Sequence, residues 1–102
     1  MSISMVDIAL PGAVSVSVSN DTISVELSDG RTIAVPLSWY PRLLHANPKE
    51  RKNWRLIGNG SGIHWEDIDE DISVAGIVSG RPSQESQTVF KKWLDKRHNS
   101  RR

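Results

Sequence analysis

The sequence predicts an α+β domain: a three-stranded antiparallel β-meander and a short fourth strand, packed by two or three helices. Three observations lead there. Apolar and polar residues alternate with period two through "AVSVSVSNDTISVELSDGRTIAVPL", residues 13–37, as strands with one buried face do. Ile63 and Trp65 repeat that alternation around His64. Between and beyond these stretches lie helix signals: Asn47-Pro48, the acids before Ile72, and the stripe Val89, Phe90, Trp93 and Leu94.

The meander comes first. Val14, Val16 and Val18 share a face, and the intervening serines take the other. A two-residue turn at Asn20-Asp21 sets Val18 opposite Ile23, Val16 opposite Val25 and Val14 opposite Leu27, apolar against apolar. A two-residue turn at Asp29-Gly30 would set Ile33 against Glu26, on the wrong face. A three-residue loop, Ser28-Asp29-Gly30, instead sets Val25 against Ile33 and Ile23 against Val35. It places Gly30 at the left-handed position such a loop requires. A three-stranded sheet with one greasy face needs a cover.

The second half supplies it. Pro41 opens a short turn holding Leu43 and Leu44. Asn47-Pro48 reads as an N-cap followed by proline at the first helical position, and the helix is predicted to reach about Arg55. "GNGSG" is a turn, followed by the fourth strand. Five carboxylates then fall within residues 66–71. The spacing of Ile72, Ala75 and Val78 predicts a helix, with Asp69, Glu70 and Asp71 at its N-terminus, where the dipole favours negative charge. A last helix is predicted from near Ser83, and "RHNSRR" reads as a frayed basic tail. The expected layout is an N-terminal segment (1–11), one α+β domain (12–94) and a basic tail (95–102).

Composition narrows the classes. The chain has 102 residues and no cysteine, which excludes disulfides and thiolate metal sites and predicts a cytoplasmic location. No apolar run reaches the roughly 20 residues of a membrane span, and "MSISMVDIALPG" lacks the pattern of a signal peptide. Asn20-Asp21-Thr22 and Asn59-Gly60-Ser61 are therefore read as turns rather than glycosylation sites. Net charge is +1, but it is segregated. Residues 42–55 carry five bases against one acid, and residues 81–102 carry seven bases against two acids. Such blocks attract an oppositely charged partner, or one another.

Candidate chemistry is thin. Asp67-x-Asp69-x-Asp71 has the spacing of a calcium loop, but Ile72 and Val78 stand where its glycine and bidentate glutamate belong. The adjacent acids read as a solvated cap rather than a glycosidase pair. His45, His64 and His98 do not form a helical metal pair, and His64 is expected on a strand, free to pair with a nearby acid. "GNGSG" fits neither phosphate-binding glycine motif. No cofactor, metal or catalytic residue is predicted.

Four tryptophans are many for so short a chain. Trp65 and Trp93 are expected in the core. Trp39 and Trp54 flank basic segments and are candidates for a protein interface, with Tyr40, Arg42, Arg51 and Arg55. The alternative is a nucleic-acid surface made of Lys49, Arg51, Lys52, Lys91, Lys92, Lys96 and Arg97.

"DGRTIAVPLSWYPRL", "GSGIHWEDIDEDISVAGIVSGRPS" and the closing "ES…F…WL" resemble a bacterial family, the domain of unknown function numbered 2442. The resemblance covers most of residues 12–94. It implies a small α+β domain with a meander and packed helices. It also implies a partner: family members occur beside another small protein, the domain of unknown function numbered 4160, in what reads as a toxin–antitoxin couple with this family as the antitoxin. Some members carry an added helix-turn-helix domain; residues 81–102 predict one helix, not three.

The expected function is therefore a non-enzymatic interaction protein, an antitoxin that binds and neutralises a small partner protein. The alternative is a regulatory nucleic-acid module acting on operator DNA through residues 47–55 and 91–102. An enzyme ranks last, for want of a motif. No membrane association is expected. An edge strand, residues 13–19 or 31–37, offers pairing across a homodimer.

Overall fold

The computed structural model describes residues 10–100, with side chains as far as His98. Of the predicted terminal segments, residues 1–9 and 101–102 lie outside that range.

The meander forms as its pattern demands. β1 (Ala13–Val18), β2 (Thr22–Leu27) and β3 (Thr32–Pro36) make an antiparallel sheet in that order. Val18 faces Ile23, Val16 faces Val25, Val25 faces Ile33 and Ile23 faces Val35, in the predicted register. Gly30 has φ 94°, the left-handed position expected of it.

The third predicted pair of the first hairpin is different. Ala13, not Val14, stands opposite Leu27, because a β-bulge inserts one residue between Ala13 and Ser15. The bulge turns Val14 out to 55% exposure and buries the smaller Ala13. At the hairpin end, neither Asn20 nor Asp21 takes a positive φ. Ser19 closes the turn instead: its N–H donates to Thr22 O at 2.9 Å, and its Oγ accepts from Thr22 N at 3.1 Å.

After a 3-10 turn at Leu37–Trp39 come α1 (Pro41–Leu44) and α2 (Pro48–Lys52). Asn47 caps α2 as predicted, in a capping box with Glu50: Glu50 N donates to Asn47 Oδ1 and Asn47 N to Glu50 Oε1. The helix stops three residues short of the expected Arg55. Trp54–Ile57 is strand β4. Its residues alternate, so Trp54 and Leu56 pack on the core while Arg55 faces water.

β5 (Gly62–Trp65) is the predicted fourth strand, and it is the centre of a second sheet. β4 pairs on one side of it. On the other lies β6 (Glu70–Ser73), in a stretch read from sequence as a helix opening. A 3-10 turn at Glu66–Ile68 and left-handed backbone at Asp69 (φ 51°) reverse the chain into β6. The acids therefore do not cap a helix. α3 (Val74–Ser79) begins later and is capped by Ser73, whose Oγ accepts from Gly76 N at 2.9 Å. Ile72 reaches the core from a strand, paired with Ile63. Pairing with the apolar β5 outweighs the helix-terminus preference, which is a fraction of a kcal/mol for each acid.

The last helix, α4, spans Gln87–Ser100, starting later and ending later than expected. Ser83 N donates to Trp39 O, and residues 81–86 connect α3 to α4 with neither helix nor strand. The stretch read as a frayed tail continues the helix through Ser100. One core joins the two sheets: Ile23, Val25 and Leu27 from the meander, Ile63 and Trp65 from the second sheet, and Leu43, Ile68 and Ile77 from the connections. Trp65 is fully buried, and its Nε1 donates to Arg51 O at 3.0 Å.

Candidate functional site

Three of the predicted partner-binding residues serve inside the domain. Tyr40 is buried, and its hydroxyl donates to Arg81 O at 3.4 Å. Arg42 sits between elements: Nη2 is 2.6 Å from Glu85 Oε2, and Nη1 donates to Ile68 O and Asp69 O. Arg51 donates to Leu43 O, Leu44 O and Asn20 Oδ1, tying α2 to α1 and to the first hairpin turn. Trp39 and Trp54 lie half-buried against the core. Arg55 is exposed and meets Glu66 at 3.4 Å, a solvent-screened pair of little energetic weight.

The alternative basic set divides between two helices. Lys49 and Lys52 are exposed on α2, and Lys91, Lys92 and Lys96 are exposed on α4. Arg97 pairs with Glu50 at 2.9 Å, which joins α4 to α2. Arg42 and Arg97 come together on Trp93, with guanidinium carbons 5.1 and 5.0 Å from its ring centroid.

Beside β6 the surface opens into a cleft of about 350 Å³. Glu70, Asp71 and Ser73 form one wall, Arg81 and Ser83 line the other, and Tyr40 lines it between them. Glu70 shares the strand face of Ile72, so its side chain turns toward the protein. Burial, and then the Glu85 carboxylate, push the Glu70 carboxyl up to about 7. Arg42 opposes that rise, while Asp71 and Asp69 add to it. Burial, with Glu70 second, also raises the Tyr40 hydroxyl. On the opposite strand face, His64 Nδ1 meets Asp71 Oδ1 at 2.5 Å, and Nε2 lies 3.4 Å from Glu66.

The hydroxyls around the cleft are tied into the fold. Ser73 Oγ is engaged with Gly76 N, and Ser83 Oγ with Glu85 N. Asp67 accepts from Asn53 Nδ2, away from Asp69 and Asp71. Among the described residues, no three His, Asp or Glu side chains converge as metal ligands.

Residues 13–83 match the family described as "Protein of unknown function (DUF2442)". The chain belongs to this family. The match spans both sheets of the DUF2442 domain and ends in the wall of the cleft, before α4. A protein of unknown function from Rhodospirillum rubrum ATCC 11170, solved by crystallography, is 27% identical; the likeness covers 78% of this chain and 98% of that one, with a TM-score of 0.66. An uncharacterized protein from Chromobacterium violaceum, solved by NMR, covers 84% of this chain and 75% of its own at 22% identity and a TM-score of 0.62, a likeness of fold alone. No curated protein matches.

Sequence reasoning passed over Glu70 and Glu85 as site residues. The signal for Glu70 was its place two residues before Ile72, but it becomes legible only once 70–73 is known to be a strand. For Glu85 there was no local signal. In the DUF2442 domain, as described, no helix is long and apolar enough to cross a membrane.

Proposed function

We propose that the protein works by binding another protein, as an antitoxin that blocks a small partner. The observation that carries this reading is the acidic end of the second sheet. Glu66, Asp67, Asp69 and Asp71 are exposed there on one turn and one edge strand, next to the cleft that holds Glu70. Such a rim complements a basic surface and steers its approach. The pairing implied by the family, with a protein of the domain of unknown function numbered 4160, supplies the class of partner.

The test is co-expression with the small protein encoded beside it. Growth arrest by that protein should be relieved by this chain, and the two should co-purify. Reversing the rim with Glu66→Lys and Asp69→Lys together should abolish both effects. No relief and no complex would refute the reading.

A second reading has its own support. Lys49, Lys52, Lys91, Lys92 and Lys96 are exposed, and none is drawn into an ion pair among the described residues. They are carried on helices that Glu50–Arg97 holds together. This is the raw material of phosphate contacts to operator DNA. Fluorescence anisotropy on duplex DNA should show affinity falling steeply with salt; a flat response discards the reading.

A further inference from the structure

Strand β6 ends its sheet, and its outer edge is open. Val74 N donates to Ser61 O at 2.9 Å, one step beyond the Gly62–Ser73 pair. Bonded and non-bonded pairs alternate along an antiparallel ladder. The backbone groups of Glu70 and Ile72 therefore face β5, and those of Asp71 and Ser73 face outward. Ser73 C=O opens α3, which leaves Asp71 N–H, Asp71 C=O and Ser73 N–H on the edge. Among the described residues, no backbone bond outside the ladder reaches any of the three.

The segment that faces this edge across the cleft is held away from it. Arg81 N donates to Gly76 O, Ser83 N to Trp39 O, and Tyr40 Oη–H to Arg81 O. A gap of about 350 Å³ therefore stands between strand and connector. It is large enough for a stretch of extended chain and too small for a folded element.

We propose that this cleft receives an extended peptide segment bearing a lysine or arginine, which adds as a strand to β6 and sets its cation on the Glu70 carboxylate. Charge decides the occupant. Glu70 has no hydrogen bond or ion pair with any described residue. Glu85 lies behind it, and Asp69 and Asp71 flank it. Of the two nearby cations, Arg42 is held by Glu85 and two carbonyls, and Arg81 Nε donates to Ser79 Oγ. Backbone pairing supplies affinity, and the cation opposite Glu70 supplies selectivity. The inference rests on the protein-binding reading and names the chemistry of what is bound.

The test selects a phage-displayed library of random heptapeptides on the full chain, then measures the recovered peptides by titration and amide exchange. Recovered sequences should be rich in Lys or Arg among β-branched residues. They should slow exchange at Asp71 and Ser73, and bind about tenfold more weakly to Glu70→Gln. Methylating the peptide backbone nitrogens should abolish binding. No enrichment, protection at another face, or indifference to both Glu70→Gln and N-methylation overturns the proposal. The two readings fail separately: neutralisation that survives both Glu70→Gln and edge-blocking Asp71→Pro makes this site wrong and leaves the function standing, whereas no neutralisation by the wild-type chain refutes the function.

Discussion

Arg42 and Glu85 meet across 43 positions of sequence, with Nε 2.9 Å and Nη2 2.6 Å from the same carboxylate oxygen. The side chains are 13% and 14% exposed, so water screens the pair weakly. Arg42 also donates to the carbonyls of Ile68 and Asp69, ahead of β6. One guanidinium thus fastens the second sheet, α1 and the approach to α4.

Glu85→Ala should therefore destabilise the fold by about 3 kcal/mol, because it leaves a largely buried cation without its counter-charge. Urea titration measures the loss. The double variant Arg42→Met/Glu85→Leu, which removes both charges, should lose markedly less. Equal losses would show that burial, not the unpaired charge, sets the cost.

Trp93 lies between two cations and stacks on Phe90 at 5.8 Å. Trp93→Leu keeps apolar contact and removes the ring's attraction for Arg42 and Arg97, at a cost of about 1–2 kcal/mol. Hydrogen exchange should quicken first along α4 and leave β2 protected, since α4 rests on this cluster rather than in the meander core.

Glu70 gives stability a pH slope. Its folded-state carboxyl titrates near 7 against an ordinary value of 4.5. Between those values the folded protein holds a proton that the unfolded chain has lost, so stability falls as pH rises through that window. Below 4.5 the group contributes no penalty; above 7 the penalty is complete. Glu70→Gln should thus be more stable than wild type at pH 8, by on the order of 2 kcal/mol, and equal to it at pH 4. Carboxyl NMR should find a midpoint near 7, set first by burial and then by Glu85, with Arg42 opposing the rise and Asp71 and Asp69 adding to it.

Two glycines should respond differently to alanine. A Cβ on Gly60 would stand 2.7 Å from Ala13 O, and the residue has φ 88°. A Cβ on Gly30, at φ 94°, meets nothing within 4 Å. Gly30→Ala should cost about 1 kcal/mol, the conformational penalty alone. Gly60→Ala must also part the loop from β1, so its thermal midpoint should fall clearly further.

Much of the meander was legible because each constraint there is local. Val16, Val18, Ile23, Val25, Ile33 and Val35 alternate, and one loop length alone satisfies both hairpin faces. Val14 misled because the pattern cannot show a bulge; the residue that displaces it, Ala13, joins the buried core. The acids 69–71 misled for a related reason. Carboxylates before an apolar residue are a sound helix-opening signal, but "EDIS" is too short and polar to declare itself a strand. At the candidate site, the residues chosen for their type, Tyr40, Arg42 and Arg51, proved to hold elements together. The cleft was invisible because its two walls come from β6 and the connector beyond α3.

By itself the sequence determined the α+β class, the register of β2 with β3 and of β1 with β2 as far as Val16, the Asn47 cap and the burial of Trp65. All of these follow from side-chain periodicity and turn chemistry acting over a few residues. Only the tertiary structure decided that residues 54–57 and 70–73 are strands, that Glu70 shares its environment with Glu85, and that one sheet edge stays open. A four-residue strand has no stability of its own and takes its conformation from the partner beside it. A carboxylate likewise takes its charge state from whatever the fold brings within reach.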